Sequence, residues 1–287
     1  MLSRLLVALQ YILPKHLLTA VIWRIARIRH VATKNFLITR FVSLYDVEID
    51  AVKLNVPDDF ASFNDFFVRE LNADARPVDE SDNSIVSPVD GTVSIADVIR
   101  DDSIIQAKGL NYSLSDLLAT DLEQAAAYVD GAFATIYLAP YNYHRVHAPW
   151  DGELVAARYV PGDLFSVSEA TVRQVDGLFR RNERLVMHFK TDHGSAVLIF
   201  VGALNVGSIS TPWTGELRPR KHGVVDVPNL SGHSGTVKKG DLLGWFNMGS
   251  TVILLLPAGI ASWDDDLQPG ETLRVGEAIG QLSDGPK

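Results

Sequence analysis

The chain contains no cysteine. Disulfides, thiolate metal sites and cysteine nucleophiles are therefore excluded; a reducing compartment is compatible but not required. No acidic residue precedes Asp46. No apolar run reaches the ~20 residues of a membrane-spanning helix, because charges interrupt every candidate. The signatures G-x-S-x-G around a serine nucleophile, the Walker loop and G-x-G-x-x-G are also missing. That withdraws support from a lipase-type hydrolase, from ATP and from a nicotinamide dinucleotide.

What remains is a chain of 287 residues, 47% hydrophobic, enough for one large domain or two small ones with a true core. Its net charge of −9 is unevenly distributed. Arg4, Lys15, Arg24, Arg27, Arg29, Lys34 and Arg40 give the head +7, which leaves the remainder with 19 basic and 35 acidic residues, or −16. A basic, apolar head on an acidic body points to an anionic membrane surface rather than to nucleic acid. Leu2, Leu5, Leu6, Leu9 and Ile12 fall at helical spacing, as do Leu17, Leu18, Val21, Ile22 and Ile25 beyond Pro14. The expected arrangement is one or two helices lying in the interface. Tyr11 and Trp23 would sit at headgroup depth, with Arg24, Arg27 and Arg29 towards phosphates. A helical hairpin packed on the body is the competing reading. No A-x-A cleavage site follows the first apolar run, so a secretory signal is disfavoured.

Residues 60–77 predict a short aromatic helix followed by a loop. From Ile85 onward, short Val/Ile/Leu runs alternate with Gly, Pro and Asp turns, which is strand and hairpin texture. One helix is expected from Leu114 to Ala127. The fold class is α+β: N-terminal membrane-binding helices at 1–45, then a β-rich body at 46–287. Two internal echoes stand out. Ser87-Pro88-Val89-Asp90-Gly91 matches Ala148-Pro149-Trp150-Asp151-Gly152, and Gly240-Asp241-Leu242-Leu243-Gly244 matches Gly276-Glu277-Ala278-Ile279-Gly280. Such turns resemble those of lipoyl carrier domains and predict a pseudo-symmetric body.

Gly249-Ser250-Thr251 runs directly into the apolar stretch Val252–Leu256. A serine hydroxyl held there can attack the preceding carbonyl, and glycine leaves that approach unobstructed. Gly194-Ser195 and Gly207-Ser208 carry the same dipeptide, so the dipeptide alone decides nothing. Tyr141–His147 holds the densest histidine cluster. His144 and His147 suit general-base work better than metal binding, since no known zinc spacing accompanies them. Asp90 and Asp151 each occupy an Asp-Gly turn, and on these grounds neither ranks above the other.

An ordered series of motifs resembles the bacterial, pyruvoyl-dependent phosphatidylserine decarboxylase family. It begins with Leu9-Gln10-Tyr11-Ile12-Leu13-Pro14-Lys15 and Phe63–Arg69 with Ala75-Arg76-Pro77. Ser87–Gly91, Gln106–Gly109 with Tyr112-Ser113-Leu114, and Tyr143–His147 follow. Val201–Gly207 and Gly249-Ser250-Thr251 complete it. Met248 stands where the family usually has Leu, a near-isosteric change compatible with cleavage.

The resemblance implies that Asp90, His147 and Ser250 form a self-cleavage triad acting at Gly249–Ser250. Residues 1–249 become a large chain and 250–287 a small one, with Ser250 converted to the covalent pyruvoyl group and Schiff-base centre. It implies that phosphatidylserine is decarboxylated to phosphatidylethanolamine and carbon dioxide, with His144 acting at that stage. It further implies the large and small chains of one precursor as partners, a homodimer of processed units, and a peripheral location on the cytoplasmic face of the bacterial inner membrane. No metal is expected. A membrane-associated serine hydrolase with an uncut chain is the alternative; a lipoyl-like carrier is a weaker one, because Lys238-Lys239 is badly placed for it.

Overall fold

The computed structural model describes residues 2–107, 109–205, 207–230 and 234–283. Lys108 and Val206, each within one of the motifs above, lie outside the described residues, as do residues 284–287.

Three helices open the chain: α1 (Leu2–Ile12), α2 (Lys15–Ala26) and α3 (Val31–Tyr45). Pro14 cannot continue α1, and the axis turns by 93° between the first two helices. No described helix is by itself long and apolar enough to cross a membrane; the bent pair passes only when its two parts are taken together. Leu5, Leu6, Leu9, Ile12, Leu17, Val21 and Ile25 stay exposed, whereas Val7, Gln10, Lys15, Thr19 and Ala26 are buried against the protein. The helices therefore pack on the body and still present an apolar outer face. Arg24 and Arg29 are exposed, in line with the expected outward aim. Trp23 and Arg27 are not: both bond Glu216 Oε1 at 2.8 Å, the first through its indole N–H and the second through Nη2. A distant carboxylate outcompetes the interface for them, and local periodicity carries no trace of it.

The body begins with α4 (Phe63–Phe67), capped where Ser62 Oγ accepts from the Asp65 N–H. Its strands are β1 (Ser84–Val86), β2 (Gly91–Val98), β3 (Ser103–Ala107), β4 (Leu110–Ser113), β5 (Ala132–Leu138), β6 (Arg145–His147), β7 (Gly152–Val160) and β8 (Arg184–Thr191). There follow β9 (Gly194–Val201), β10 (Ile209–Thr211), β11 (Gly215–Leu217), β12 (Thr236–Val237), β13 (Leu242–Phe246), β14 (Ser250–Leu256), β15 (Ala261–Trp263), β16 (Thr272–Leu273) and β17 (Ala278–Leu282). The fold is thus α+β, as expected. The helix expected over 114–127 is instead two, α5 (Leu114–Leu118) and α6 (Leu122–Ala126). Ala119 adopts a left-handed conformation that ends the first, and the Asp121 side chain caps the second by accepting from the Gln124 N–H.

Eight antiparallel strands form the main sheet in the order β12-β7-β8-β9-β14-β5-β2-β16. The unbroken apolar run of β14 suits a strand buried on both faces. All seven of its residues are buried, between β9 on one edge and β5 on the other.

The paired turns form a local pseudo-dyad. The Val86 N–H donates to the Pro149 carbonyl at 3.0 Å, and the His147 N–H donates to the Pro88 carbonyl at 2.8 Å. Gly276 N–H donates to Ser87 O while Ser87 N–H donates to Glu277 O; Gly240 N–H donates to Ala148 O while Ala148 N–H donates to Asp241 O. Leu273 lies opposite Gly91 and Val237 opposite Gly152. Each Asp-Gly turn thus receives the same backbone embrace from the opposite repeat.

Candidate active site

Ser250 opens β14, opposite Leu138 of β5. It is fully buried, and its Oγ has no hydrogen-bond partner. An isolated hydroxyl in that position carries a desolvation cost of about 1–3 kcal/mol. The segment leading to it is held through Asn247, three residues earlier. Asn247 Nδ2 donates to Ser208 Oγ at 2.7 Å and Ser210 Oγ at 3.1 Å, and its Oδ1 accepts from Asn64 Nδ2 at 3.0 Å. A Cβ on Gly249 would come no closer than 3.9 Å to Leu138 O, so crowding does not explain this glycine. Its contribution is an unshielded carbonyl.

A cavity of about 200 Å³ opens beside Gly249 and Ser250. Phe41 and Tyr45 of α3 line it, as do Phe67, Leu138 and Pro140, and the loops at 166–168 and 203–205 complete it. Its walls mix apolar side chains with the polar residues Ser166, Ser168 and Asn205.

Asp90 is buried and tied to Arg76. Arg76 Nε donates to Oδ1 at 2.9 Å and Nη2 to Oδ2 at 2.6 Å, while the Val275 N–H donates to Oδ1 at 2.9 Å. His147 Nδ1 lies 2.7 Å from the Gly240 carbonyl oxygen, and Nε2 lies 3.1 Å from the Tyr143 hydroxyl. A carbonyl can only accept, so those partners assign the proton to Nδ1 and the lone pair to Nε2. Burial holds the His147 pKa below the ordinary imidazole value, with the Gly240 carbonyl and Asp90 opposing the shift and Arg145 adding to it. The ring is a free base at neutral pH. Burial raises Tyr143 to about 12, so its hydroxyl remains a donor. Among the described residues, no hydrogen bond joins Asp90, His147 and Ser250. Asp90 and His147 are each satisfied elsewhere, and Ser250 is free.

His144 is fully buried, stacked on Phe67 with ring centroids 4.2 Å apart, and neither ring nitrogen has a hydrogen bond. Burial, then the Arg69 charge, pushes its pKa down to about 3. It is a neutral imidazole, with the backbone of Pro140 and Ala139 opposing the downward shift. Arg76, Tyr143 and Asn247 were not singled out from the sequence for a role. Arg76 and Tyr143 sit inside quoted motifs, which was the available signal; their partners were not.

No group of three or more potential metal ligands occurs among the described residues. The candidate residues supply a desolvated hydroxyl that lines the cavity, a free-base imidazole, a clamped carboxylate and a second neutral imidazole stacked on the cavity residue Phe67. That set suits acyl transfer at a backbone carbonyl and proton handling on an amine substrate.

A model of the phosphatidylserine decarboxylase family matches residues 63–281, and a second model, described as PSD, matches residues 5–46. A relative from Alcanivorax borkumensis is 43% identical over 279 residues, covering 97% of this chain and 96% of the relative. One from Saccharophagus degradans is 43% identical over 279 residues, covering 97% of both. One from Legionella pneumophila strain Lens is 42% identical over 276 residues, covering 96% of both. All three are phosphatidylserine decarboxylase proenzymes. The chain is accordingly a decarboxylase, a carboxy-lyase of phospholipid synthesis. It belongs to the phosphatidylserine decarboxylase family.

Proposed function

We propose that this chain converts phosphatidylserine to phosphatidylethanolamine and carbon dioxide, after making its own prosthetic group from Ser250. The observation that carries the reading is the buried, unpartnered Ser250 hydroxyl beside a cavity that α3 helps to wall.

In the self-cleavage step, His147 Nε2 exchanges the Tyr143 hydroxyl for that of Ser250 and takes its proton. Ser250 Oγ bonds to the Gly249 carbonyl carbon and the peptide C–N bond breaks, moving the acyl group from nitrogen to oxygen. Loss of the Ser250 Cα proton then expels the Gly249 carboxylate from Cβ and divides the chain into 1–249 and 250–287. One water enters the resulting enamine, in its imine form, and one ammonia leaves, so residue 250 ends as a pyruvoyl group. Asp90 steadies the imidazolium formed on the way.

The residues present fit that group: position 250 is dry, its oxygen is unengaged, and the adjacent cavity has room for a substrate headgroup. A pyruvoyl ketone supplies an electron sink for an amine substrate. The chain's own side chains do the rest. Phe67, Leu138 and Pro140 exclude water from a carboxylate that must leave uncharged. His144 orients the substrate at the carbon that loses carbon dioxide and passes on to it a proton taken up from solvent, since its own ring is neutral at rest. The exposed apolar face of α1 and α2 supports seating on an anionic leaflet. A peripheral position on the cytoplasmic face of the inner membrane and a homodimer of processed units belong to the same proposal.

Intact mass of the denatured protein tests the reading. The expected result is two chains, the smaller one lighter by one ammonia than the product of plain hydrolysis. A single full-mass chain that turns over lipid would overturn it and favour the serine hydrolase.

A further inference from the structure

Leu9–Lys15 carries part of the family resemblance yet takes no part in the chemistry above. Its buried polar groups have specific partners. Gln10 is only 8% exposed on a helix whose neighbours Leu9 and Ile12 face outward. Its Oε1 accepts from the Ser166 N–H at 2.8 Å, and its Nε2 donates to Thr171 Oγ1 at 3.2 Å. Lys15, 6% exposed, places Nζ 3.0 Å from Asp163 Oδ1 and 4.0 Å from the centre of the Phe165 ring. Thr19, 2% exposed, accepts from the Asn205 N–H at 3.2 Å through Oγ1.

These contacts converge on two segments, 163–168 and 202–205. Ser166, Val167 and Ser168 of the first and Ala203, Leu204 and Asn205 of the second are the loops that wall the Ser250 cavity. Asn205 needs such a hold, because it sits at φ 70°, a conformation that costs a non-glycine residue free energy. The two segments are also joined to each other: Asn182 Nδ2 donates to both Phe165 O and Gly202 O. Trp23, one turn beyond Thr19, packs against Gly207, which leaves 3.3 Å for a Cβ there.

We propose that Gln10, Lys15 and Thr19 are positioning residues for lipid turnover, fixing the 163–168 and 202–205 walls so that α1 and α2 form part of the substrate site. This rests on the reading of the Ser250 cavity as the decarboxylation site. The same two helices carry the exposed leucines on their other face. Their burial in a lipid surface therefore acts directly on the walls of the cavity, and the head is more than an anchor.

The test uses the full-length, processed enzyme with Thr19→Val, Gln10→Leu and Lys15→Met, each close in size and none less apolar than the original, so that vesicle binding is preserved. Thr19→Ser is the conservative control that retains the acceptor. Three quantities are read: self-cleavage by intact mass, co-sedimentation with phosphatidylserine/phosphatidylcholine vesicles, and turnover per vesicle-bound enzyme. Each of the three variants should be cleaved, bind vesicles like the parent and lose about five-fold in turnover per bound enzyme, the factor expected for one hydrogen bond. Thr19→Ser should recover the parental rate. Parental turnover per bound enzyme in all three variants would overturn the proposal and leave the helices as anchors. So would a loss that saturating vesicles abolish, or a Thr19→Ser protein as slow as Thr19→Val. A parent enzyme that is cleaved but never releases carbon dioxide would instead count against the decarboxylation site itself.

Discussion

The turn at Pro88–Gly91 and the turn at Pro149–Gly152 share one backbone frame and differ in nearly everything chemical. Both aspartates accept a backbone N–H from the facing repeat, Asp90 from Val275 and Asp151 from Lys239. Asp90 is buried and clamped by both arms of Arg76. Asp151 is 58% exposed and meets the flexible ammonium of Lys238. The residue that donates across the dyad is Val86 in one half and His147 in the other. An Asp-Gly turn is therefore a scaffold. On the function proposed above, chemistry enters when burial and a fixed partner are added to one copy and an imidazole to the other, so that each repeat contributes a single member of the pair.

The sharpest way to break this comparison is to neutralise both aspartates separately. Asp90→Asn should slow self-cleavage by roughly a thousandfold or more, by analogy with the orienting acid of a serine triad. Asp151→Asn should leave the half-time unchanged, as followed by mass over time. Equal effects would show that the two turns are catalytically equivalent.

Stability provides the next contrast. In an uncleavable Ser250→Ala background, Arg76→Met strands a buried carboxylate and should cost about 3 kcal/mol in urea unfolding. Lys238→Met removes a solvated pair and should leave the midpoint in place.

Per unit of pH, titration gives the smallest step. Val86 cannot titrate, whereas its counterpart His147 and the neighbouring His144 can. His144 has a folded pKa near 3 against an ordinary 6.5. The unfolded chain thus binds the extra proton, so the stability contribution is full above pH 6.5 and is lost as the pH falls towards 3. About 1 kcal/mol should disappear per pH unit in that window, and His144→Gln should remove that share of the slope. Self-cleavage should likewise persist somewhat below pH 6.5, because the His147 pKa is also depressed.

Much of this was legible in the chain itself. The apolar runs predicted β2, β5, β7, β8 and β9, and the paired Asp-Gly and Gly-Asp/Glu turns foretold the pseudo-dyad. Local patterns failed where a distant partner decides. Trp23 and Arg27 look like interface anchors until Glu216, 193 and 189 residues away, claims them. Asn64 and Asn247 meet across 183 residues, and nothing near either announces the other. The expected helix over 114–127 failed for the opposite reason: a strong local cap at Asp121 overruled a continuous helical pattern.

The central place of β14 has a consequence for the history of the molecule. A precursor with β14 still attached folds as one chain, at a rate independent of concentration. If the chain is divided at Gly249–Ser250 as proposed, the same strand has to be found by encounter, inserted between β9 and β5 with every residue buried. Folding then becomes second order, and a denatured mature enzyme recovers in proportion to the concentration of its fragment. Under that proposal folding precedes the cut, and each copy folds efficiently only once.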